Sequence, residues 1–223
     1  MPFQNPDKYS SKDIVSTLRK LGIMPEDTVY FSTGLGFLGL AEGVNNSEEL
    51  NNLFYKSIRE TLGKKGTILV PTFSYTIGRS LASEPTVFDP LESKSETGPF
   101  TEFFRKQSGV SRSLDPMVSV SGIGPGFKEL IRDLPPTSYG IDSVFDRLTK
   151  TNVKICNIGL GTNWIPFLHY ADWLSKVSYR YDKLFFGEIR DGNKLYKQAW
   201  VYAVPTSRSD SALHGRRLGE LAE

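Results

Sequence analysis

The residue types that are scarce in this 223-residue sequence already argue against several functions. Cys156 is the only cysteine, so the chain cannot form an internal disulfide. The 27 basic and 25 acidic residues leave a formal net charge of +2, which does not favour nucleic acid or an anionic membrane as a partner. No segment approaches the ~20 apolar residues that span a bilayer, and the N-terminus lacks the apolar core of a signal peptide. We therefore predict a cytoplasmic protein that neither binds nucleic acid nor inserts into a membrane.

Sequence motifs for nucleotide hydrolysis and serine hydrolysis are missing as well. The chain has neither a G-x-x-x-x-G-K-[ST] phosphate loop nor a G-x-S-x-G nucleophile elbow. Gly34, Gly36 and Gly39 match G-x-G-x-x-G, but the prompt helix and the later acidic residue that a dinucleotide site requires are absent. We interpret these glycines as a flexible ligand loop. Cys156 lies in an apolar run, which is typical of a small buried hydrophobic residue.

The spacing of apolar residues predicts helices and strands that alternate along the chain. The predicted strands cover residues 27–33, 66–71, 117–121 and 153–158, and those at 66–71 and 153–158 are interpreted as buried. The predicted helices cover residues 11–21, 47–62, 101–106, 127–132, 143–148, a segment around His169 and one that begins near Ser211. Segments 183–189 and 194–204 flank an Asp-Gly turn and indicate a hairpin. This order predicts a single domain over residues 1–223, an α/β fold built as a three-layer α/β/α sandwich with a mixed central sheet and a C-terminal hairpin.

One of only two histidines, His169, stands three residues before Asp172 on a predicted helix, and this spacing puts both on one helix face. The helix follows strand 153–158, and open α/β sheets bind ligands at the carboxyl ends of their strands. An imidazole titrates near neutral pH and a carboxylate can fix its tautomer, so the pair has the minimal equipment of a general base. A half-buried histidine satisfied by a neighbouring acid has the same sequence pattern, and both interpretations stay open at this point. No further histidine or cysteine cluster accompanies the pair, so we predict no metal site.

Several short segments follow one another along residues 12–203 in a characteristic order. They are Val70-Pro-Thr-Phe-Ser-Tyr75, Phe88-Asp-Pro90, Thr97-Gly-Pro-Phe-Thr-Glu-Phe-Phe-Arg105, Arg112-Ser-Leu-Asp-Pro-Met-Val-Ser-Val120, Gly122-Ile-Gly124 and Leu168-His-Tyr-Ala-Asp172. In order and spacing they resemble the aminoglycoside 3-N-acetyltransferase family. The resemblance implies an acyltransferase that uses acetyl-CoA to acetylate an amine of an amino sugar.

The same resemblance implies roles for individual residues. In family members a His-Leu-Ala-Glu helix supplies the general base, and His169 and Asp172 occupy the positions of its histidine and glutamate. Asp172 is one methylene shorter than the glutamate, which weakens the orientation of the base unless the backbone shifts. Coenzyme A contacts are implied at Ser32, Thr33, Thr72, Phe73, Arg112, Ser113 and Ser119. Strand-end N–H groups and hydroxyls suit the pantetheine amides and the thioester oxygen, and an arginine suits a phosphate.

The sequence differs from the drug-modifying members of the family at positions that bear on which acceptor is bound. Ile165-Pro-Phe167 replaces the Asn-Thr-Ser triplet that commonly precedes the histidine, which removes hydroxyl and amide partners on the acceptor side. The chain resembles more closely the branch encoded with surface-polysaccharide genes, in which the acceptor would be an amino sugar on a nucleotide or lipid carrier. We predict acceptor contacts from Asp115, Asn163 and Arg180. The surroundings mix acids with Arg180, Lys183 and Arg190, although such cations are equally typical of helix ends and surfaces.

Two alternatives remain open. Within the enzyme class the acceptor is either an aminoglycoside or a polysaccharide-precursor amino sugar. Outside that class, the altered positions Phe31, Asp115, Val118 and Ile165-Pro-Phe167 are also compatible with a coenzyme-A-binding protein without transferase activity. A homodimer is compatible with the sequence, and the chain ends at Glu223, earlier than typical family members.

Overall fold

The first half of the fold consists of two helix–strand units. The computed structural model describes residues 8–81, 84, 86–162 and 164–207. Helix α1 (Ser11–Lys20) precedes strand β1 (Thr28–Thr33), and helix α2 (Ser47–Leu62) precedes strand β2 (Thr67–Pro71). Helix α1 begins where the sequence predicts it, because the Ser10 backbone N–H donates to the Asp13 carboxylate at 2.8 Å and the Asp13 N–H donates back to Ser10 Oγ.

Short elements fill the middle of the chain and a long hairpin follows them. The strands are β3 (Val87–Phe88), β4 (Ser111–Arg112), β5 (Val120–Ile123), β6 (Val153–Ile158), β7 (Arg180–Asp191) and β8 (Lys194–Pro205). The helices are α3 (Pro99–Arg105), α4 (Phe127–Leu130), α5 (Val144–Thr149) and α6 (Phe167–Leu174), and short 3₁₀ turns lie at Leu35–Phe37 and Thr76–Arg79. Among the described helices, none has the length and apolar character needed to cross a bilayer.

The central sheet has five strands in the order β4-β5-β2-β1-β6. Strand β1 runs parallel to both β2 and β6, whereas β5 is antiparallel to β2 and β4 is antiparallel to β5. The sheet is therefore mixed, as predicted. Because β2, β1 and β6 are parallel, the residues that follow their carboxyl ends lie along one edge of the sheet.

Alternating side chains of the central strands bury both faces of this sheet. Val29 and Phe31 of β1 pack on one face in a cluster that includes residues of α1, α2 and α3. Tyr30, which lies between them, packs on the other face with residues of α5, α6 and the hairpin. Each such fully buried side chain contributes roughly 1.5–3 kcal/mol through removal of apolar surface from water. The predicted three-layer α/β fold with its hairpin is confirmed.

Two predictions about strands are wrong. Strand β6 is not buried but forms the edge of the central sheet, so Ile155 is 42% exposed while Cys156 is covered. Met117 and Val118 do not extend β5, because both backbone N–H groups donate to Asp115 Oδ1 and turn the chain there. The helix predicted from Ser211 lies outside the described residues.

The C-terminal hairpin belongs to a second sheet. Strands β7 and β8 pair over their whole length, from Arg180 opposite Pro205 to Asp191 opposite Lys194, and β3 adds to β7 in parallel. Gly192 has a φ of +58° in the two-residue turn, a left-handed conformation that glycine adopts without steric cost. The base of the hairpin, at Arg180, is the end that reaches the helix carrying His169.

Candidate active site

The ends of β1 and β6 meet through two glycines. The Gly34 N–H donates to the Ile158 carbonyl oxygen at 2.8 Å. A Cβ placed on Gly159 would lie 2.4 Å from the Gly34 carbonyl oxygen, and Gly159 has a φ of +68°. Only glycine fits this close approach of two backbones. The contact fixes the start of the segment that leads to α6.

Helix α6 is held in place by aromatic packing. Phe167 makes edge-to-face contacts with Tyr30 and Phe145, with ring centroids 5.3 Å away in each case. The Tyr170 hydroxyl donates to Asp146 Oδ1 at 2.5 Å. A helix of eight residues is too short to be stable alone, so these tertiary contacts determine where α6, and with it His169, lies.

His169 and Asp172 share one face of α6, as the sequence predicts, but an arginine lies between their polar atoms. His169 Nδ1 is 3.9 Å from Asp172 Oδ2, which is too far for a hydrogen bond. Arg180 donates from Nε to Asp172 Oδ2 at 2.8 Å, and its Nη2 lies 2.8 Å from His169 Nδ1. The Tyr179 hydroxyl donates to Asp172 Oδ1 at 2.5 Å. Sequence reasoning missed Tyr179, and it did not place Arg180 within the histidine pair.

Burial and charge differ among His169, Asp172, Tyr179 and Arg180. The side chains of Arg180 and Asp172 are only 9% and 12% exposed, whereas that of His169 is 39% exposed. Burial alone would raise the pKa of Asp172, but the hydrogen bonds from Tyr179 and Arg180 and the charge of Arg180 bring that pKa below its usual value. Burial together with the Asp172 carboxylate raises the pKa of Tyr179 to about 12. At neutral pH the site therefore contains an anionic Asp172 and a protonated Tyr179 hydroxyl.

The contact with Arg180 determines what the imidazole can do. A guanidinium has donors and no acceptor, so His169 Nδ1 accepts the hydrogen bond from Arg180. The neutral imidazole then carries its proton on Nε2. In this arrangement His169 is a hydrogen-bond donor at Nε2, whereas a base at Nε2 needs the proton on Nδ1.

Tyrosines form one wall of the site. The ring of Tyr139 meets that of His169 edge-to-face at 5.8 Å, and Tyr202 lies 5.6 Å from Tyr139 and 6.4 Å from Tyr75. The hydroxyls of Tyr139 and Tyr30 are buried with no hydrogen-bond partner among the described residues, and burial raises the pKa of both. Sequence reasoning missed these tyrosines, because they are far apart in the chain and share no motif.

The residues predicted to bind coenzyme A fall into two groups, and the first lies at the carboxyl ends of β1 and β2. Ser32 Oγ and Thr33 Oγ1 are buried and have no hydrogen-bond partner within the described chain. Buried polar groups are nearly always satisfied, so these two hydroxyls are candidates for a ligand contact. Thr72 Oγ1 instead bonds with Ser121 Oγ at 3.0 Å, and the Phe73 carbonyl accepts from the Glu96 N–H at 2.8 Å.

The second group consists of Arg112, Ser113 and Ser119, whose side chains form hydrogen bonds within the chain. Arg112 is buried, and its guanidinium donates to Ser119 Oγ and to the carbonyl oxygens of Thr72, Ser93 and Pro90. Burial lowers the pKa of Arg112 to about 10, and the group remains cationic at neutral pH. The fully buried hydroxyl of Ser113 accepts from the Val120 N–H. Contact of Arg112, Ser113 and Ser119 with the cosubstrate stays a prediction.

The three predicted acceptor contacts lie in different surroundings. Asp115 is 1% exposed, and its Oδ1 accepts from Met117 N, Val118 N and Ser138 Oγ at 2.8, 2.9 and 3.1 Å. Arg180 lies beside His169. Asn163 lies outside the described residues. The structure thus brings Arg180 to the histidine and places Asp115 in the interior, where burial raises its pKa to about 6.

We expect Asp115 to make stability depend on pH. Its folded pKa of about 6 exceeds the ordinary value, so its contribution to stability is present below about pH 4 and is lost as pH rises through 6. The wild type should lose about 2 kcal/mol relative to Asp115→Asn between pH 4 and 7. Urea unfolding of both proteins at these two pH values measures the difference. A wild-type-minus-variant difference that is the same at both would contradict the assignment.

Comparison with known proteins identifies the fold and the family. The family model for aminoglycoside 3-N-acetyltransferases matches residues 41–214. The aminoglycoside N(3)-acetyltransferase IX of Micromonospora chalcea is 23% identical over 175 residues, which are 72% of this chain and 60% of that protein. The chain therefore spans about 60% of the length of this curated relative.

Solved structures agree in fold. The binary complex of AAC-IIIb with CoASH matches with a TM-score of 0.75 and 18% identity, covering 87% of this chain and 76% of that one. The neutron/X-ray structure of sisomicin-bound AAC-VIa matches with a TM-score of 0.75 and 21% identity, covering 89% and 77% of the two chains. Because the family model matches well over half of its residues, this chain belongs to the aminoglycoside 3-N-acetyltransferase family.

Proposed function

We propose that the protein transfers the acetyl group of acetyl-CoA to an amine of an amino sugar, with His169 as general base. The observation that carries this proposal is the position of the pair. His169 and Asp172 lie on one face of α6, directly after the carboxyl end of β6, and the imidazole is partly exposed while the acid is covered. Family membership supports the reaction class.

Two observations support acetyl-CoA as the cosubstrate. A fold relative, AAC-IIIb, binds CoASH. In this chain the hydroxyls of Ser32 and Thr33 are buried at the end of β1 and have no partner among the described residues, as expected of groups that a ligand satisfies. Thr72 and Phe73 follow the neighbouring parallel strand on the same edge of the sheet. We assign the thioester end of the cosubstrate to this edge.

The reaction needs no covalent intermediate with the protein. The amine nitrogen attacks the thioester carbon and a C–N bond forms while the amine proton passes to His169 Nε2. The C–S bond then breaks, and the imidazolium returns the proton to the coenzyme A thiolate. Asp172 accepts from Nδ1–H and stabilises the transient imidazolium, and strand-end donors stabilise the oxyanion. This sequence requires the proton of the neutral imidazole on Nδ1.

The acceptor proposed here is an amino sugar on a phosphate-bearing carrier. A polycationic drug needs free acids, and the fold relative AAC-VIa binds such a drug, sisomicin. In this chain Asp115 is buried, Asp142 pairs with Arg147 at 2.8 Å, and Asp172 pairs with Arg180. These acids are already neutralised or covered, which supports an acceptor of lower positive charge.

An acetyl-transfer assay tests both the proposed reaction and the proposed acceptor. Release of coenzyme A thiol is followed with acetyl-CoA and either sisomicin or an amino sugar linked to a nucleoside diphosphate. We expect kcat/KM to be at least about tenfold higher for the carrier-linked sugar. Faster acetylation of sisomicin would overturn the acceptor assignment while leaving the reaction class intact.

A second candidate function is coenzyme A binding without transfer. The hydrogen bond from Arg180 to His169 Nδ1 favours it, because that bond holds the imidazole in the tautomer that is not basic at Nε2. Calorimetric titration with coenzyme A separates the two candidates. Binding without thiol release from either acceptor class would favour this second function.

A further inference from the structure

Arg180, and not Asp172, lies within hydrogen-bond distance of His169 Nδ1. The 3.9 Å gap between His169 Nδ1 and Asp172 Oδ2 is too wide for a hydrogen bond, and Arg180 Nη2 lies 2.8 Å from the same Nδ1. An aspartate reaches one methylene less far than a glutamate would from the same backbone position. The shorter side chain leaves Nδ1 to the guanidinium.

We propose that Arg180 is a positioning residue that sets the tautomer of His169. It holds the imidazole proton on Nε2 in the resting protein, and the base forms only when Nδ1 turns from Arg180 to Asp172. The second half of this statement rests on the proposed function. The first half concerns the resting protein alone and does not require any activity.

Arg180 itself is rigidly held, so the imidazole must adapt to it. Its Nε donates to Asp172 Oδ2 at 2.8 Å and its Nη1 donates to the Ala203 carbonyl oxygen at 3.1 Å. It lies at the first residue of β7, opposite Pro205 of β8. A guanidinium has only N–H donors and no acceptor, so the group that it presents to Nδ1 is a donor. A proton on Nδ1 would face another donor, which disfavours that tautomer.

The state in which His169 Nδ1 donates to Asp172 differs little in geometry from the observed one. Within the part of the chain that the structure describes, His169 faces Arg180 and Asp172 on the side of Nδ1, and the ring of Tyr139 contacts the imidazole edge-to-face. Reaching Asp172 requires the Nδ1 to Oδ2 distance to shorten from 3.9 Å to about 3 Å. Arg180 can keep its bonds to Asp172 and Ala203 during this movement. A shift of about 1 Å therefore separates the donor from the base.

Nuclear magnetic resonance of the imidazole nitrogens tests the proposal directly. The chain has only two histidines, so ¹H–¹⁵N long-range correlation spectra are simple, and His214→Gln assigns the signals. In the wild type near neutral pH we expect at least about a tenfold excess of the Nε2–H tautomer of His169, since a bond from a charged donor is worth about that ratio. In Arg180→Gln the excess should shift to Nδ1–H, with Asp172 as acceptor.

A second variant and a control variant complete the test. Asp172→Glu retains Arg180 but extends the acid towards Nδ1, and it should also raise the Nδ1–H fraction. Arg190→Gln, on the same strand but paired with Asp89 at 3.1 Å, should leave the tautomer unchanged. A wild type with Nδ1–H would overturn the proposal, as would an unchanged tautomer in folded Arg180→Gln. If the spectra are as expected but no acceptor is acetylated, only the proposed function fails.

Discussion

Replacing His169 by alanine should lower kcat/KM for acetyl transfer by about 10²–10⁴-fold, the range typical of a lost general base. Without an imidazole the attacking amine has no acceptor for its proton, and Asp172 cannot substitute because it is largely buried and its lowered pKa makes it a weak base. Thiol release at saturating acetyl-CoA measures the loss. Undiminished transfer would show that His169 is not the base.

The stability of the His169→Ala variant is expected to stay close to that of the wild type. The imidazole is 39% exposed and its ring contact is with Tyr139 alone among the described aromatic pairs. Coenzyme A affinity should change by less than about twofold, or 0.4 kcal/mol, because the residues proposed to bind the thioester end of the cosubstrate lie at the carboxyl ends of β1 and β2. A large loss of binding together with activity would point to a structural role for the histidine.

Replacing Arg112 by alanine should lower the free energy of unfolding by about 3–5 kcal/mol. The guanidinium is buried and donates to carbonyl oxygens of Thr72, Ser93 and Pro90, and to Ser119 Oγ. The substitution removes a charged donor from each of these acceptors and opens a cavity beside Phe88, over whose ring the guanidinium lies at 5.0 Å. Urea unfolding measures the change.

Arg79 provides a matched control for Arg112. It also interacts with the long connection between β2 and α3, through a pair of 2.6 Å hydrogen bonds to Glu96, but its side chain is 62% exposed. Surface ion pairs are worth about 0–1 kcal/mol, so Arg79→Ala should be nearly neutral. Equal effects of the two substitutions would contradict a structural role for the buried arginine.

The parts of the fold that sequence predicted best are those with local signals. The capping residue Ser10 and the apolar spacing of α1 mark that helix without reference to the rest of the chain. The two-residue strand β4 and the edge position of β6 could not be predicted, because both depend on which strand lies beside them. Met117 and Val118 have the apolar character of a strand, but their N–H groups bind Asp115 instead of a neighbouring strand.

In the candidate site, too, sequence predicted the local pattern and missed the contacts that depend on the assembled fold. The spacing of His169 and Asp172 is a local signal, and both lie on one face of α6 as predicted. Contact of Arg180 with the acceptor stays a prediction; sequence did not predict its contacts with that pair, which arise because the strand it begins folds back onto the helix. Tyr139 and Tyr202 reach the site from separate elements, and only the assembled core brings them together.

The register between β7 and β8 limits which insertions and deletions the hairpin turn tolerates. Side chains alternate between the two faces of a strand, so a one-residue slip of the hairpin would carry Arg180 to the opposite face and away from Asp172. An insertion or deletion at the Gly192 turn, twelve residues from Arg180, is therefore tolerated only if it leaves the strand alignment at the base unchanged. Turn length, and not only the residues around the imidazole, decides whether the histidine has an arginine beside it.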